Sequence, residues 1–355
     1  MNNRFAPTAL MLGNIVTGCS VLAPAGMLSE LSESLGVSIR TAGLLITFGA
    51  IVLCVGSPVT AWLTSRIERR TLLVATLAVL ALTNAASALA PDYAALLVIR
   101  LIMLAVGVIY TPQAAGTAAL VVPLEKRGWQ AVYGSIGAMG VLSSLLLVWR
   151  LPGRLRAAPV DLKTWIDLGR NRAIILLLSI TALQTSGQFT VFTFMGPLLK
   201  KLTDANPDAI GLVFALYGIA GFVGILIATR IVDFWCAYKT SLLFNALVMT
   251  GVTGWALSAG LYVLMAVAVA VWGLGFASTN SMQQVRLVAA APPLAPASVA
   301  LNTSVLYVGQ AVGSFVGGLF YARELLYGLG FVAMAFVALA VMLVIASQPR
   351  AVPAE

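Results

Sequence analysis

The chain has 355 residues, 60% of them apolar and only 9% charged, with a mean hydropathy of +0.99. A water-soluble core of this length cannot hide that much apolar surface, so lipid is the expected solvent. The net charge of +9 is spread over short loops beside apolar runs, which points to membrane topology and not to a nucleic-acid partner, and with no histidine the common His-based enzymes and metal sites are excluded.

A spanning helix needs about 20 mostly apolar residues. The alternating pattern of a barrel strand is absent, so each long apolar run predicts a helix. The first run, 8–28, follows Arg4; it is too long for a secretory leader and ten further runs follow. It carries Asn14, Thr17, Cys19 and Ser20. The second run, 41–64, ends on Arg66, Arg69 and Arg70, and the third, 72–90, is nearly bare of polar groups. The fourth, 94–122, holds Arg100, Tyr110, Thr111 and Gln113, and ends on Lys126 and Arg127. After a fifth run at 130–149 comes the longest polar stretch, 150–172, rich in Lys and Arg.

Six runs follow, at 173–197, 209–229, 240–258, 262–284, 299–320 and 328–346. Polar residues return in the first and fourth of these, as Gln184, Gln188, Thr190 and Thr193, then Asn280, Gln283 and Gln284. Such groups are costly in lipid and face a cavity or a neighbouring helix. Arg100 is the one basic residue well inside a run; it predicts either a cavity-side role or a cap on backbone carbonyls. Ser and Thr have the further option of bonding their own helix. Gly218, Gly221 and Gly224, then Gly309, Gly313 and Gly317, form small-residue stripes that let helices pack closely, and they are candidate surfaces for relative motion of the two halves.

An internal repeat is visible. Thr8, Ala9, Leu10, Thr17 and Pro24 match Thr181, Ala182, Leu183, Thr190 and Pro197 at an offset of 173; Tyr93 and Pro123 match Tyr262 and Pro292 at 169. Beyond Pro292 the second half runs 55 residues to Ser347, whereas the first reaches Arg150 only 27 residues after Pro123. The shortfall of 28 residues amounts to about one helix and a short loop, missing near Gly128. With that helix absent from a twelve-span frame, sixteen basic residues lie inside and four outside; eleven alternating spans give nine inside and eleven outside. The positive-inside rule selects the first arrangement, with a cytoplasmic N-terminus. The expected fold is an all-α polytopic membrane bundle of about eleven helices, twelve minus one. Its parts are an incomplete half (1–149), a basic cytoplasmic linker (150–172) and a six-helix half (173–355).

Two six-helix halves joined by a basic linker resemble the major facilitator superfamily. Gly56-Ser57-Pro58 through Ala61 to Arg66, Arg69 and Arg70 is similar to that family's loop between helices two and three, with Ser65 where an acid is usual and Glu68 where glycine is common. The second half keeps the acid as Asp233, with Lys239 six residues on. Arg100 matches the family's fourth-helix arginine. Gly187-Gln188-Phe189 and Phe192-Thr193-Phe194 before Pro197, together with Trp272-Gly273 through Asn280, Gln283, Gln284 and Arg286, then Ala300-Leu301-Asn302, resemble bacterial arabinose-, purine- and drug-efflux permeases. The resemblance implies a secondary transporter, monomeric in the bacterial inner membrane. It would export a small organic solute (drug, sugar or nucleoside-like) by alternating access, without a metal or cofactor and with protons as candidate coupling ion. It implies that the cavity residues come from Asn14, Thr17, Arg100, Tyr110, Gln113, Gln184, Gln188, Thr193, Asn280, Gln283 and Gln284, with Arg66, Arg69, Arg70, Asp233 and Lys239 at the cytoplasmic gate. The absent fifth helix is the one that carries the family's antiporter motif, so a non-transporting relic is the competing expectation.

Overall fold

The computed structural model describes residues 6–63, 68–107, 129–150 and 162–348. Among these the regular elements are all helices: α1 (Ala6–Gly26), α2 (Leu28–Ser34), α3 (Ile39–Leu63), α4 (Arg69–Ala88), α5 (Tyr93–Gly107), α6 (Trp129–Arg150), α7 (Leu162–Arg170), α8 (Arg172–Phe192), α9 (Met195–Thr203), α10 (Pro207–Leu257), α11 (Tyr262–Ala290), α12 (Ala295–Ala322) and α13 (Leu326–Ala346), with one 3-10 turn at Pro292–Leu294. Seven of the described helices are long and apolar enough to cross a membrane, and the chain is a multi-pass membrane protein.

Local chemistry sets several boundaries. Asn171 caps α8 by accepting from the backbone N–H groups of Ala173 and Ile174, and Asn206 caps α10 ahead of Pro207 in its first turn. At 51 residues α10 is about 75 Å of helix, enough for two crossings. It breaks at Cys236, whose φ of 69° lies in the left-handed region. The Tyr262 hydroxyl donates to the Ala209 carbonyl at 2.9 Å, so both ends of α10 lie at one end of the bundle and the chain reverses at Cys236. The expected runs 209–229 and 240–258 are the two arms. The polar stretch 150–172 contains helix α7, whose Leu168 is buried with Ile174, Leu177 and Val344. A single apolar face bedded on the bundle explains why so polar a stretch is helical.

In the second half, α12 packs along α8, α13 packs on α8 and α10, and α10 packs along α11. In the first half, α6 packs on α4 and α1. A Cβ on Gly137 would lie 3.1 Å from the Ala81 carbonyl, as one on Gly330 would lie 2.8 Å from Ala256. The repeat-related tyrosines make matching bonds: Tyr93 donates to the Thr41 carbonyl at 2.7 Å, in the first turn of α3, as Tyr262 does to Ala209 in the first turn of α10. The halves meet where α3 lies along α12, with Phe194 packed under Gly43, and where Lys200 pairs with Glu33 at 3.1 Å.

Helices α5 and α6 run parallel. Tyr93 opens α5 beside Thr41; Trp129 opens α6 at the same end, its backbone N–H donating to Glu30 at 3.0 Å and its indole to Ser34 at 2.8 Å. Further along, Arg100 of α5 meets Tyr133 of α6.

Candidate functional site

A cavity of about 80 Å³, room for several waters, lies among α8, α10, α11 and α12 of the second half and α1 of the first. Its polar lining is Gln184, Thr185, Gln188, Asn280, Ser281, Gln284 and Gln310; Phe189, Phe276 and Tyr307 supply rings, and Val21, Leu22, Ile225 and Leu306 supply aliphatic surface. Among the described residues, no charged side chain lines it. Two residues one turn apart share a helix face, and α8 uses this to present Gln184 and Gln188 together. On α11 the same spacing presents Asn280 and Gln284.

Neighbours behind the wall hold these amides. Gln184 Nε2 donates to Thr279 Oγ1 at 2.5 Å, and Gln188 Oε1 accepts from the Trp272 indole at 2.6 Å. Asn280 Oδ1 accepts from Asn302 Nδ2 at 3.1 Å, and Asn302 Oδ1 accepts from the Thr181 hydroxyl at 2.7 Å. Among the described residues, Gln284 and Gln310 have no hydrogen-bond partner, and the buried Tyr307 hydroxyl has none. A buried polar atom without a partner calls for water or a ligand.

Other expected path residues lie off this cavity. Gln283 is buried, its amide donating to the Leu177 carbonyl on α8. Thr193 shares a hydrogen bond with Ser314 at 2.7 Å between α8 and α12, and Thr17 bonds its own helix at Gly13, 2.9 Å away. Arg100 is 1% exposed; it donates to the carbonyls of Ser20 (3.2 Å) and Val21 (3.4 Å) and to the Tyr133 hydroxyl (2.7 Å). That is the carbonyl-capping arrangement, one residue behind the cavity wall at Val21. Tyr110, Gln113 and Arg66 fall outside the described residues, and of Asn14, Arg69 and Arg70 only the backbone is described. Asp233 and Lys239 are exposed on either side of the Cys236 break, and no ion pair among the described residues joins them.

The glycine stripes pack within the second half. Cβ atoms on Gly309, Gly313 and Gly317 would lie 2.6, 2.3 and 2.4 Å from the carbonyls of Ala182, Ser186 and Thr190 on α8, and one on Gly224 would lie 1.9 Å from that of Leu274 on α11. Gly218 and Gly221 are buried on the same helix as Gly224. The stripe on α12 therefore faces α8 of its own half, and the surface between the halves is Gly43 and Gly318 about Phe194. Sequence reasoning missed Gln310, Tyr307 and Ser281. Gln310 carried a usable signal, an amide in the middle of an apolar run; for Tyr307 and Ser281 the one-letter pattern held none.

The Major Facilitator Superfamily profile matches residues 10–128 and 177–354. The inner membrane transport protein YdhP of Escherichia coli (strain K12) is 27% identical over 388 aligned positions, covering 99% of each chain. A probable sugar efflux transporter of Helicobacter pylori (strain ATCC 700392 / 26695) is 25% identical over 361 positions, covering 90% of this chain and 89% of the relative. The crystal structure of a bacterial homologue of the human lysosomal transporter Spinster, in an inward-facing and occupied conformation, has the same fold, with a TM-score of 0.72 at 13% identity over 99% of this chain and 98% of that one. With the helical bundle, the matched halves and a profile covering most of its length, the chain belongs to the Major Facilitator Superfamily.

Proposed function

We propose that this chain is a secondary transporter that exports a small neutral organic solute, sugar- or nucleoside-like, by alternating access, and that it belongs with the bacterial sugar and drug efflux permeases. The observation that carries the proposal is the cavity chemistry: among the described residues it is lined by five carboxamides, three rings and no charge, at the meeting of α1 with the second half. Neutral amides pair with hydroxyls and ring carbonyls, and flat apolar rings suit the faces of a sugar or base, which the cavity admits as it widens in the alternating-access cycle. Among the described residues, the lining holds no carboxylate that would attract a cationic drug. The similarity to a probable sugar efflux transporter supports the same class. The protein acts as a monomer in the bacterial inner membrane, with its N-terminus and the stretch 150–172 cytoplasmic. The path residues are Gln184, Gln188, Asn280 and Gln284, with protons as candidate coupling ion.

The test is release from proteoliposomes loaded with arabinose, uridine or a cationic dye. Release of arabinose or uridine above empty vesicles, lost in Gln188→Ala, is expected. Release of the dye alone overturns the neutral-solute assignment.

A second reading, a non-transporting permease relic lacking the fifth helix, is favoured by the parallel course of α5 and α6. The packing of α6 on α4 and α1, like that of α13 on α10 and α8, supports placing α6 in the sixth position, as α13 stands in the twelfth. The profile match stops at residue 128, and an alignment of 388 positions for a chain of 355 is compatible with a segment missing after that point. Folded protein that releases none of the three probes selects the relic.

A further inference from the structure

The cavity amides are held in one sense from behind. An indole N–H can only donate, so the atom Gln188 turns to Trp272 must be its carbonyl oxygen, and its NH2 is left for the cavity. The single proton of the Thr279 hydroxyl is used on the Phe276 carbonyl at 2.9 Å, so Gln184 must donate to Thr279 and its carbonyl oxygen is left over. Thr181 donates to Asn302 Oδ1 at 2.7 Å; its other neighbour, the Leu177 carbonyl, is at 3.5 Å and already accepts from Gln283. Asn302 is thereby oriented to donate to Asn280 Oδ1, leaving the Asn280 NH2 free. Trp272, Thr279 and Asn302 are almost fully buried and do not line the cavity.

Resting on the neutral-solute reading above, we infer that Trp272, Thr279 and Asn302 are positioning residues that set the cavity's hydrogen-bond polarity to two fixed donors (Gln188, Asn280) and one fixed acceptor (Gln184). A hydroxyl can play either part, so a plain sugar is accepted without much discrimination. A solute with groups of fixed sense is sorted: two carbonyl-type acceptors and one N–H donor fit, whereas an amino group in place of a carbonyl meets another donor. Uridine and cytidine are matched in shape and differ in this respect, because cytidine exchanges a ring carbonyl for an amino group and a ring N–H for an acceptor. Gln284 and Gln310, whose amides no described neighbour orients, add binding strength without preference.

Two measurements on the purified full-length chain test this. The first needs no solute: the ultraviolet resonance Raman band that reports indole N–H hydrogen bonding is isolated for Trp272 as the difference from Trp272→Phe. A hydrogen-bonded indole is expected in the unaltered protein and in Gln188→Glu, which keeps an acceptor, and a free one in Gln188→Leu. A free indole in the unaltered protein overturns the inference.

The second is the ratio of uridine to cytidine binding. The unaltered protein should favour uridine about tenfold or more, the factor for leaving one buried group unpaired. Trp272→Phe and Asn302→Asp should bring the ratio several-fold closer to one, whereas Gln284→Ala weakens both nucleosides equally. An unchanged ratio in Trp272→Phe, or a preference for cytidine, also overturns the inference. Binding of neither nucleoside, nor of arabinose, with the expected Raman pattern counts against the neutral-solute reading, while that Raman pattern supports the amide orientation.

Discussion

At the scale of single residues, the cost of polar groups in lipid explains why so few are idle. Arg100 spreads three hydrogen bonds over α1 and α6, with its Nε alone unpartnered, and so fastens α5 to both. Tyr133→Phe removes a bond to a charged group, worth about 1.5–3 kcal/mol, and a lowered midpoint of thermal unfolding in detergent is expected. Glycines give a sharper contrast. Gly313→Ala would place a methyl 2.3 Å from the Ser186 carbonyl, so α12 must move off α8, at about 1–3 kcal/mol as in other overpacked cores. Gly134→Ala on α6 meets nothing within 4 Å and should stabilise by about 0.5–1 kcal/mol. Melting curves of the two variants should move in opposite directions; equal shifts would mean that the close approach of α12 to α8 is wrong.

At the scale of elements, the seat of α6 on α2 carries a pH-dependent contact. Burial raises the Glu30 carboxyl above its ordinary 4.5, opposed by the Trp129 N–H that it accepts and reinforced by the charge of Glu33. A carboxyl raised in the folded state contributes fully below its unfolded value and progressively less as pH climbs through the folded one. Stability should therefore fall from about pH 4.5 upward by the part that Glu30 contributes. Glu30→Gln keeps an acceptor for Trp129 without a charge, so its melting temperature should lose that part of the slope; a slope identical to the parent's would place the titration elsewhere. The glutamate's bond to Trp129 was beyond reach of the sequence, because its partner is a backbone group 99 positions away.

At the scale of the whole molecule, the proposed twelve-minus-one frame predicts which face each loop meets. In a background with Cys19, Cys54 and Cys236 replaced, Lys163→Cys should react with a membrane-impermeant maleimide only in inside-out vesicles, and Lys201→Cys only in intact cells. The reverse pattern would invert the second half and end the frame. The packing of α6 on α4 and α1, like that of α13 on α10 and α8, is what makes this frame worth testing.

Much of this molecule follows from local quantities. Run lengths and polar content depend on composition and spacing alone, so the membrane class and the helical architecture could be read from one chain. The glutamines of α8 and α11 stood out for the same reason: an amide in lipid is conspicuous by its cost. Tertiary structure decided the partners. Whether Thr193 faced a cavity or Ser314, whether Arg100 reached a solute path or the Ser20 carbonyl, and which oxygen or nitrogen Gln188 turned to Trp272 all depend on distances between residues far apart in the chain. A hydrogen bond is decided within a few tenths of an ångström, and no spacing along the sequence carries that information across helices.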